Sequence, residues 1–218
     1  MMLVIDGLFD EGTVTALREA AEGLDFADGA ATAGAMARRV KANNQATATP
    51  ERDALLAKIS TTVRAHPVFL SAARPHRISP MIVSRYREGQ TCGSHVDDAL
   101  MGGLRTDLSF TLFLSEPETY RGGALVIEDS FEARAIKLGA GEMILYPSTS
   151  LHRVEPVTRG ARLAVVGWVQ SRVRDAGRRE ILFDLDRSVA ELQAGGADEL
   201  FDRLAKTRSN LLRMWAEA

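Results

Sequence analysis

From Ser79 to about Gln170 the chain changes texture, and this stretch limits the fold more than any other feature of the sequence. It is a succession of short runs rich in β-branched and aromatic residues, at 80–86, 104–114, 124–128, 133–138, 142–146 and 162–170. Turn formers separate them: Ser115-Glu116-Pro117-Glu118, Arg121-Gly122-Gly123, Gly139-Ala140-Gly141, Pro147-Ser148 and Thr158-Arg159-Gly160. A parallel sheet needs a helical crossover between successive strands, and no helical period lies between these runs. The spacing therefore predicts an antiparallel sandwich or jelly roll.

The flanks read differently. Val14, Leu17, Ala20, Ala21 and Leu24 recur at steps of three and four, which predicts an amphipathic helix over 10–24. A second helix is expected from Thr49-Pro50-Glu51, with Thr as cap and Pro in the first turn, through Leu55, Leu56, Ile59 and Val63. His66 before Pro67 ends it, and His76 between Pro75 and Arg77 reads as a surface loop residue. Gly29–Gly34 reads as a loop, and 38–44 is polar without a clear period. Helical spacing returns after Asp175 with Ile181, Leu182, Leu185, Val189 and Leu192. After Gly195-Gly196 a last helix carries Leu200, Leu204, Leu211, Leu212 and Trp215. The expected fold class is mainly β with flanking helices, an α+β arrangement. Its units are a helical flank at 1–77, a jelly-roll domain at 78–172 and a helical extension at 173–218. The C-terminal helices either cover the β core or pair with a second copy in a homodimer.

Composition narrows the function classes. With 29 acidic and 27 basic residues among 218, the net charge of -2 argues against a broad nucleic-acid or membrane surface. The cluster Arg172, Arg174, Arg178 and Arg179 reads as a solvated helix face. One cysteine, Cys92, excludes an intramolecular disulfide framework and fits a reducing compartment. No run of about 18 apolar residues occurs. The expectation is a soluble cytoplasmic protein.

Two of the four histidines fall where a site could form. In Gly93-Ser94-His95-Val96-Asp97, His95 and Asp97 are two apart, so on an extended strand both side chains leave one face. His152 begins the later run Leu151-His152-Arg153-Val154. Two histidines and one carboxylate form the facial triad of non-haem Fe(II) oxygenases, with three positions left open. His-x-Asp alone is a weak signal, equally that of a polar loop, and His152 alone could be a satisfied core histidine. Arg162 adds to the case. It heads the apolar run Leu163-Ala164-Val165-Val166-Gly167-Trp168, and an arginine there is costly without an anionic partner. The far carboxylate of a 2-oxoglutarate chelating the iron would be such a partner, gripped by a planar guanidinium. Trp168, on the same face, could wall the cavity.

Longer matches carry a family resemblance. Arg85-Tyr86-Arg87-Glu88-Gly89, Gly93-Ser94-His95-Val96-Asp97-Asp98-Ala99 and Arg105-Thr106-Asp107-Leu108-Ser109-Phe110-Thr111-Leu112-Phe113-Leu114 resemble the PKHD-type hydroxylases. These are the PiuC-like Fe(II)- and 2-oxoglutarate-dependent dioxygenases of the prolyl 4-hydroxylase group. Gly122-Gly123-Ala124-Leu125-Val126-Ile127-Glu128-Asp129, Leu145 to Val154, Thr158 to Leu163 and Arg174 to Asp186 continue the likeness, and Val40-Lys41-Ala42-Asn43-Asn44 is similar to an N-terminal Lys-Asn-Asn segment. The resemblance implies a double-stranded β-helix core, iron held by His95, Asp97 and His152, and 2-oxoglutarate held by Arg162. It also implies that Tyr86 hydrogen-bonds the co-substrate and that ascorbate keeps the iron reduced. The implied reaction hydroxylates a substrate that these residues do not identify, with succinate and CO2 as co-products, and the PiuC-like likeness suggests a link to iron uptake. Cys92 stands where the family carries a tyrosine, so the pocket wall differs there; as a residue type it is expected to be a small buried thiol. The alternative is a non-catalytic metal-binding jelly roll acting as a sensor, which would have no need of Arg162.

Overall fold

The computed structural model describes residues 1–32, 38–128, 132–196 and 199–217. In chain order it runs β1 (Leu3–Ile5), α1 (Glu11–Glu22), β2 (Phe26–Asp28), a 3-10 turn (Gly29–Thr32), β3 (Lys41–Ala42), β4 (Asn44–Ala46), α2 (Pro50–Ala65), α3 (Pro67–Ala73), β5 (Pro75–Ile78), β6 (Ile82–Arg87) and β7 (Thr91–His95). It continues through β8 (Leu100–Met101), β9 (Leu104–Arg105), β10 (Leu108–Phe113), β11 (Arg121–Gly122), β12 (Leu125–Glu128), β13 (Ala133–Ile136), β14 (Met143–Pro147), β15 (His152–Val154), β16 (Val157–Arg159), β17 (Ala161–Ser171), α4 (Ala176–Gly195) and α5 (Glu199–Trp215).

Capping sets the helix starts. The Asp10 carboxylate accepts the Thr13 N–H at 2.8 Å, and the Thr49 hydroxyl accepts that of Arg52 at 3.2 Å. Pro50 and Pro67 occupy first turns, where a missing N–H costs nothing. His66 ends α2 as expected.

Two antiparallel sheets carry the core. The large one has the order β1-β14-β10-β17-β6-β4-β2, with β5 also on β17; the small one runs β13-β12-β15-β7-β3. Alternation sorts the two faces of the large sheet. Leu108, Phe110 and Leu112 of β10 and Leu163, Val165 and Val169 of β17 join Leu17 of α1, Ile59 of α2, Phe69 of α3 and Phe183 of α4 in one buried cluster. The intervening residues, among them Ser109, Thr111, Arg162 and Trp168, line a cavity shared with the small sheet. Gly167 permits the close packing, since a Cβ there would lie 2.5 Å from the Phe110 ring.

Several expectations change. The run 104–114 is two strands, β9 and β10, and the expected turns at 121–123 and 158–160 overlap the paired strands β11 and β16. The unassigned polar segment 38–44 supplies β3 and starts β4, which exist by pairing with β7 and β6. His76 is not in a loop but in β5, half-buried, because Arg77 and Ile78 pair with Gln170 and Val169. Arg179 is not on a solvated face. It is buried, and its guanidinium donates to the Val173 and Arg174 carbonyls at 2.8 and 2.7 Å. Gly34 of the expected loop and Asp129 of the family-like run lie outside the described residues.

The C-terminal pair α4 and α5 packs on α3 through Asp186, which accepts from Arg74 at 2.6 Å and also from Ser71 and Arg208. None of the helices among the described residues is long and apolar enough to cross a membrane.

Candidate functional site

The small sheet brings the two histidines together. In the register of β7 and β15, His95 pairs with His152 and Cys92 with Val154, and the imidazole centroids stand 4.4 Å apart. Asp97 lies beyond the end of β7, not on it as the spacing alone suggested. Its loop is held by Thr106, whose N–H donates to the Ala99 carbonyl at 3.1 Å and whose hydroxyl donates to the Asp98 carbonyl at 2.5 Å. The Ser109 hydroxyl donates to Asp97 Oδ2 at 2.6 Å and lies 2.8 Å from Ser148 Oγ. So placed, Asp97 Oδ2 is 3.9 Å from His152 Nε2. One donor atom from each of His95, Asp97 and His152 lies within 4.8 Å of the others.

The hydrogen bonds favour metal binding. His95 Nδ1 is 2.9 Å from the Gly93 carbonyl and His152 Nδ1 is 3.0 Å from the Ser150 carbonyl. A carbonyl only accepts, so each Nδ1 carries the proton and each Nε2 presents its lone pair. Burial and the neighbouring His152 push the His95 imidazole below its ordinary pKa, which keeps it in the neutral, ligating form. Two imidazoles and a carboxylate fit Fe(II).

Arg162 and Tyr86 face each other in the register of β17 and β6. Arg162 is 1% exposed, yet among the described residues it makes no ion pair, and its Nε is buried without a hydrogen-bond partner. Its guanidinium packs 4.9 Å from the Phe113 ring centroid and 5.4 Å from that of Tyr86. A desolvated cation lacking an acid partner suits an anionic ligand. Burial raises the Tyr86 hydroxyl, so it stays a neutral donor.

Tyr86, His95, Asp97, His152, Arg162 and Trp168 thus line one cavity, with Cys92 as a buried thiol 3.8 Å from His95 Nδ1. Sequence reasoning missed four further participants. Tyr146 stacks edge-on against His152 at 5.3 Å, Ser109 and Ser148 position Asp97, and Lys41 faces the cavity from β3. Lys41, Asn43 and Gln45 all line the cavity, but their polar segment has no period that marks them in the sequence.

Known proteins agree with this architecture. Residues 81–170 match the 2OG-Fe(II) oxygenase superfamily and 176–217 the PKHD-type hydroxylase C-terminal domain. A PKHD-type hydroxylase of Maricaulis maris is 51% identical over 193 residues, 88% of each chain. One of Pseudomonas putida strain KT2440 is 46% identical over 228 residues, 100% of each. Among solved structures, a Pseudomonas putida prolyl-4-hydroxylase aligns with a TM-score of 0.55 at 20% identity, covering 78% of this chain and 92% of that one. A viral collagen prolyl hydroxylase from Paramecium Bursaria Chlorella virus-1, in its 2OG complex, gives 0.54 at 21%, covering 78% and 96%. The jelly-roll core and its helices are therefore those of an oxygenase fold that uses Fe(II) and 2-oxoglutarate, and the chain belongs to the PKHD-type hydroxylases.

Proposed function

We propose that this hydroxylase oxidises a C–H bond of its substrate while converting 2-oxoglutarate to succinate and CO2, with His95, Asp97 and His152 as the iron ligands. Arg162 anchors the far carboxylate of 2-oxoglutarate, and Tyr86 adds a hydrogen bond to it. The catalytic unit is centred on residues 78–172, the segment 1–77 adds strands to both of its sheets, 173–218 is a helical extension, and ascorbate maintains the reduced metal. The link to iron uptake belongs to this reading on family resemblance alone. The observation that supports it best is a three-donor cluster and a buried guanidinium without an acid, on the walls of one cavity.

Bound Fe(II) supplies the redox chemistry with O2 that couples the two oxidations. The chain's own residues do the rest. The Gly93 and Ser150 carbonyls hold the His95 and His152 protons on Nδ1, fixing which nitrogen faces the cavity. Ser109 donates to Asp97 Oδ2 and so fixes the orientation of the carboxylate beside His152. Arg162 supplies a charge-assisted, two-pronged grip whose geometry orients the co-substrate. Phe113, Tyr86 and Tyr146, all buried, make that end of the cavity apolar and keep water from it.

The test is direct. Iron-loaded protein should form succinate from 2-oxoglutarate, and Asp97→Ala should lose both bound iron and turnover. If candidate substrates never elicit succinate and Asp97→Ala retains iron as the wild type does, the reading fails.

A further inference from the structure

Lys41 is a charged residue in the cavity that the proposed reaction does not use. It sits on β3, paired with Cys92 of β7, three residues before His95. Asn43 and Gln45 follow where the chain crosses from the small sheet to the large one, and all three side chains line the cavity. Lys41 is half-buried, and among the described residues its ammonium makes no hydrogen bond and no ion pair. The facing titratable groups are Asp97, the Cys92 thiol and the His95 imidazole.

Charge counting gives this lysine a meaning. The charged groups lining the cavity are Lys41, Asp97 and Arg162, and a histidine that ligates a metal does so as the neutral imidazole. In the loaded site the doubly charged iron and Arg162 together balance Asp97 and the 2-oxoglutarate dianion. Lys41 is then left as one uncompensated positive charge in a partly desolvated cavity, an unfavourable state that a ligand anion relieves. A carboxylate carries the matching single charge, whereas a phosphate monoester carries nearer two at neutral pH. Arg162 and Lys41 stand on different sheets, so the co-substrate and this second anion have separate anchors.

Resting on the oxygenase reading above, we propose that Lys41 binds the substrate and that the hydroxylated substrate bears a carboxylate.

The test uses full-length protein loaded with Mn(II) and 2-oxoglutarate, which gives a binding readout without turnover. The probes are N-acetyl amino acids and their primary amides, followed by the Mn(II)-induced relaxation of their protons. Charge-assisted pairing predicts that the carboxylates bind about tenfold more tightly than the amides. Lys41→Met should abolish that preference and Lys41→Arg should keep it. Retention of 2-oxoglutarate should survive Lys41→Met and fail in Arg162→Met. A wild type that does not distinguish the carboxylates from the amides overturns the proposal, and this comparison needs no variant to fold. Loss of 2-oxoglutarate from Lys41→Met to the extent seen in Arg162→Met also overturns it, assigning the lysine to the co-substrate. Failure of the wild type to hold Mn(II) and 2-oxoglutarate, measured before any probe is added, sinks the oxygenase reading itself and this inference with it.

Discussion

The large sheet packs Phe110, Leu112, Val165 and Val169 against α1 to α4, whereas the small sheet packs Cys92, Leu125, Ile127 and Val154 against Tyr86, Phe113, Ile144 and Tyr146 of the large one, with no helical residue in that cluster. On the large sheet, β10 is buried at every position, because helices cover one face and the cavity side is closed by the second sheet. At the edge of the small sheet, Ala133, Arg134 and Ala135 of β13 are all exposed. Yet the small sheet and the loop after it carry His95, His152 and Asp97, while Arg162 comes from the large one. Stability is concentrated in one sheet and the metal donors in the other, and the cavity is the seam between them.

Four measurements would break or sharpen that contrast. The largest effect is expected from Phe110→Ala, which empties the helix-covered side of the large sheet. It should cost about 3–5 kcal/mol in urea unfolding, with both sheets lost in one transition. Arg162→Met comes next. It should weaken 2-oxoglutarate binding by about 10–100-fold, as loss of a charge-assisted pair predicts, measured by titration of the metal-loaded protein. Without co-substrate the same variant should be no less stable than the wild type, because the guanidinium has no acid to lose. A melting temperature that fell sharply would show that Arg162 supports the fold rather than the ligand. Removing the cap of α2 in Thr49→Ala should cost about 1 kcal/mol and leave metal binding intact.

The smallest effect concerns pH. The Thr13 N–H and hydroxyl hold the Asp10 carboxyl below its ordinary value of 3.8. A carboxyl with a lower pKa in the folded than in the unfolded state contributes stability that is present above the unfolded value and lost as pH falls through the folded one. The difference between wild type and Asp10→Ala should therefore stay constant down to about pH 4 and close on further acidification. A difference that persisted unchanged in acid would remove Asp10 from the account.

Four of the eight strands of the large sheet, β6, β10, β14 and β17, are legible because they are its longest and are rich in β-branched residues; β1, β2, β4 and β5 are three or four residues long and leave no such pattern. Arg162 was legible as well, since a cation heading an apolar strand has few structural excuses. The histidines were found by residue type more than by pattern. Asp97 was placed on a strand that in fact ends at His95, because its position depends on Thr106 and Ser109, distant in sequence. The strand holding Lys41 is two residues long and polar, with no period of its own; pairing with β7 alone creates it. His76 and Arg179 were misplaced for a similar reason. Their strand partner and their carbonyl acceptors come from the chain around Val169 to Arg174, and neither leaves a mark in the local sequence.

Gly93 joins these threads. Its N–H donates to the Val40 carbonyl at 2.9 Å, its own carbonyl accepts from His95 Nδ1, and a Cβ at this position would lie 2.9 Å from Val40 Cβ. A single peptide segment thus couples the strand that bears Lys41 to the ring of a metal donor. The placement of the strand that bears Lys41 and the orientation of the His95 imidazole therefore depend on the same residue. Any larger side chain at 93 would wedge the two strands apart and uncouple them.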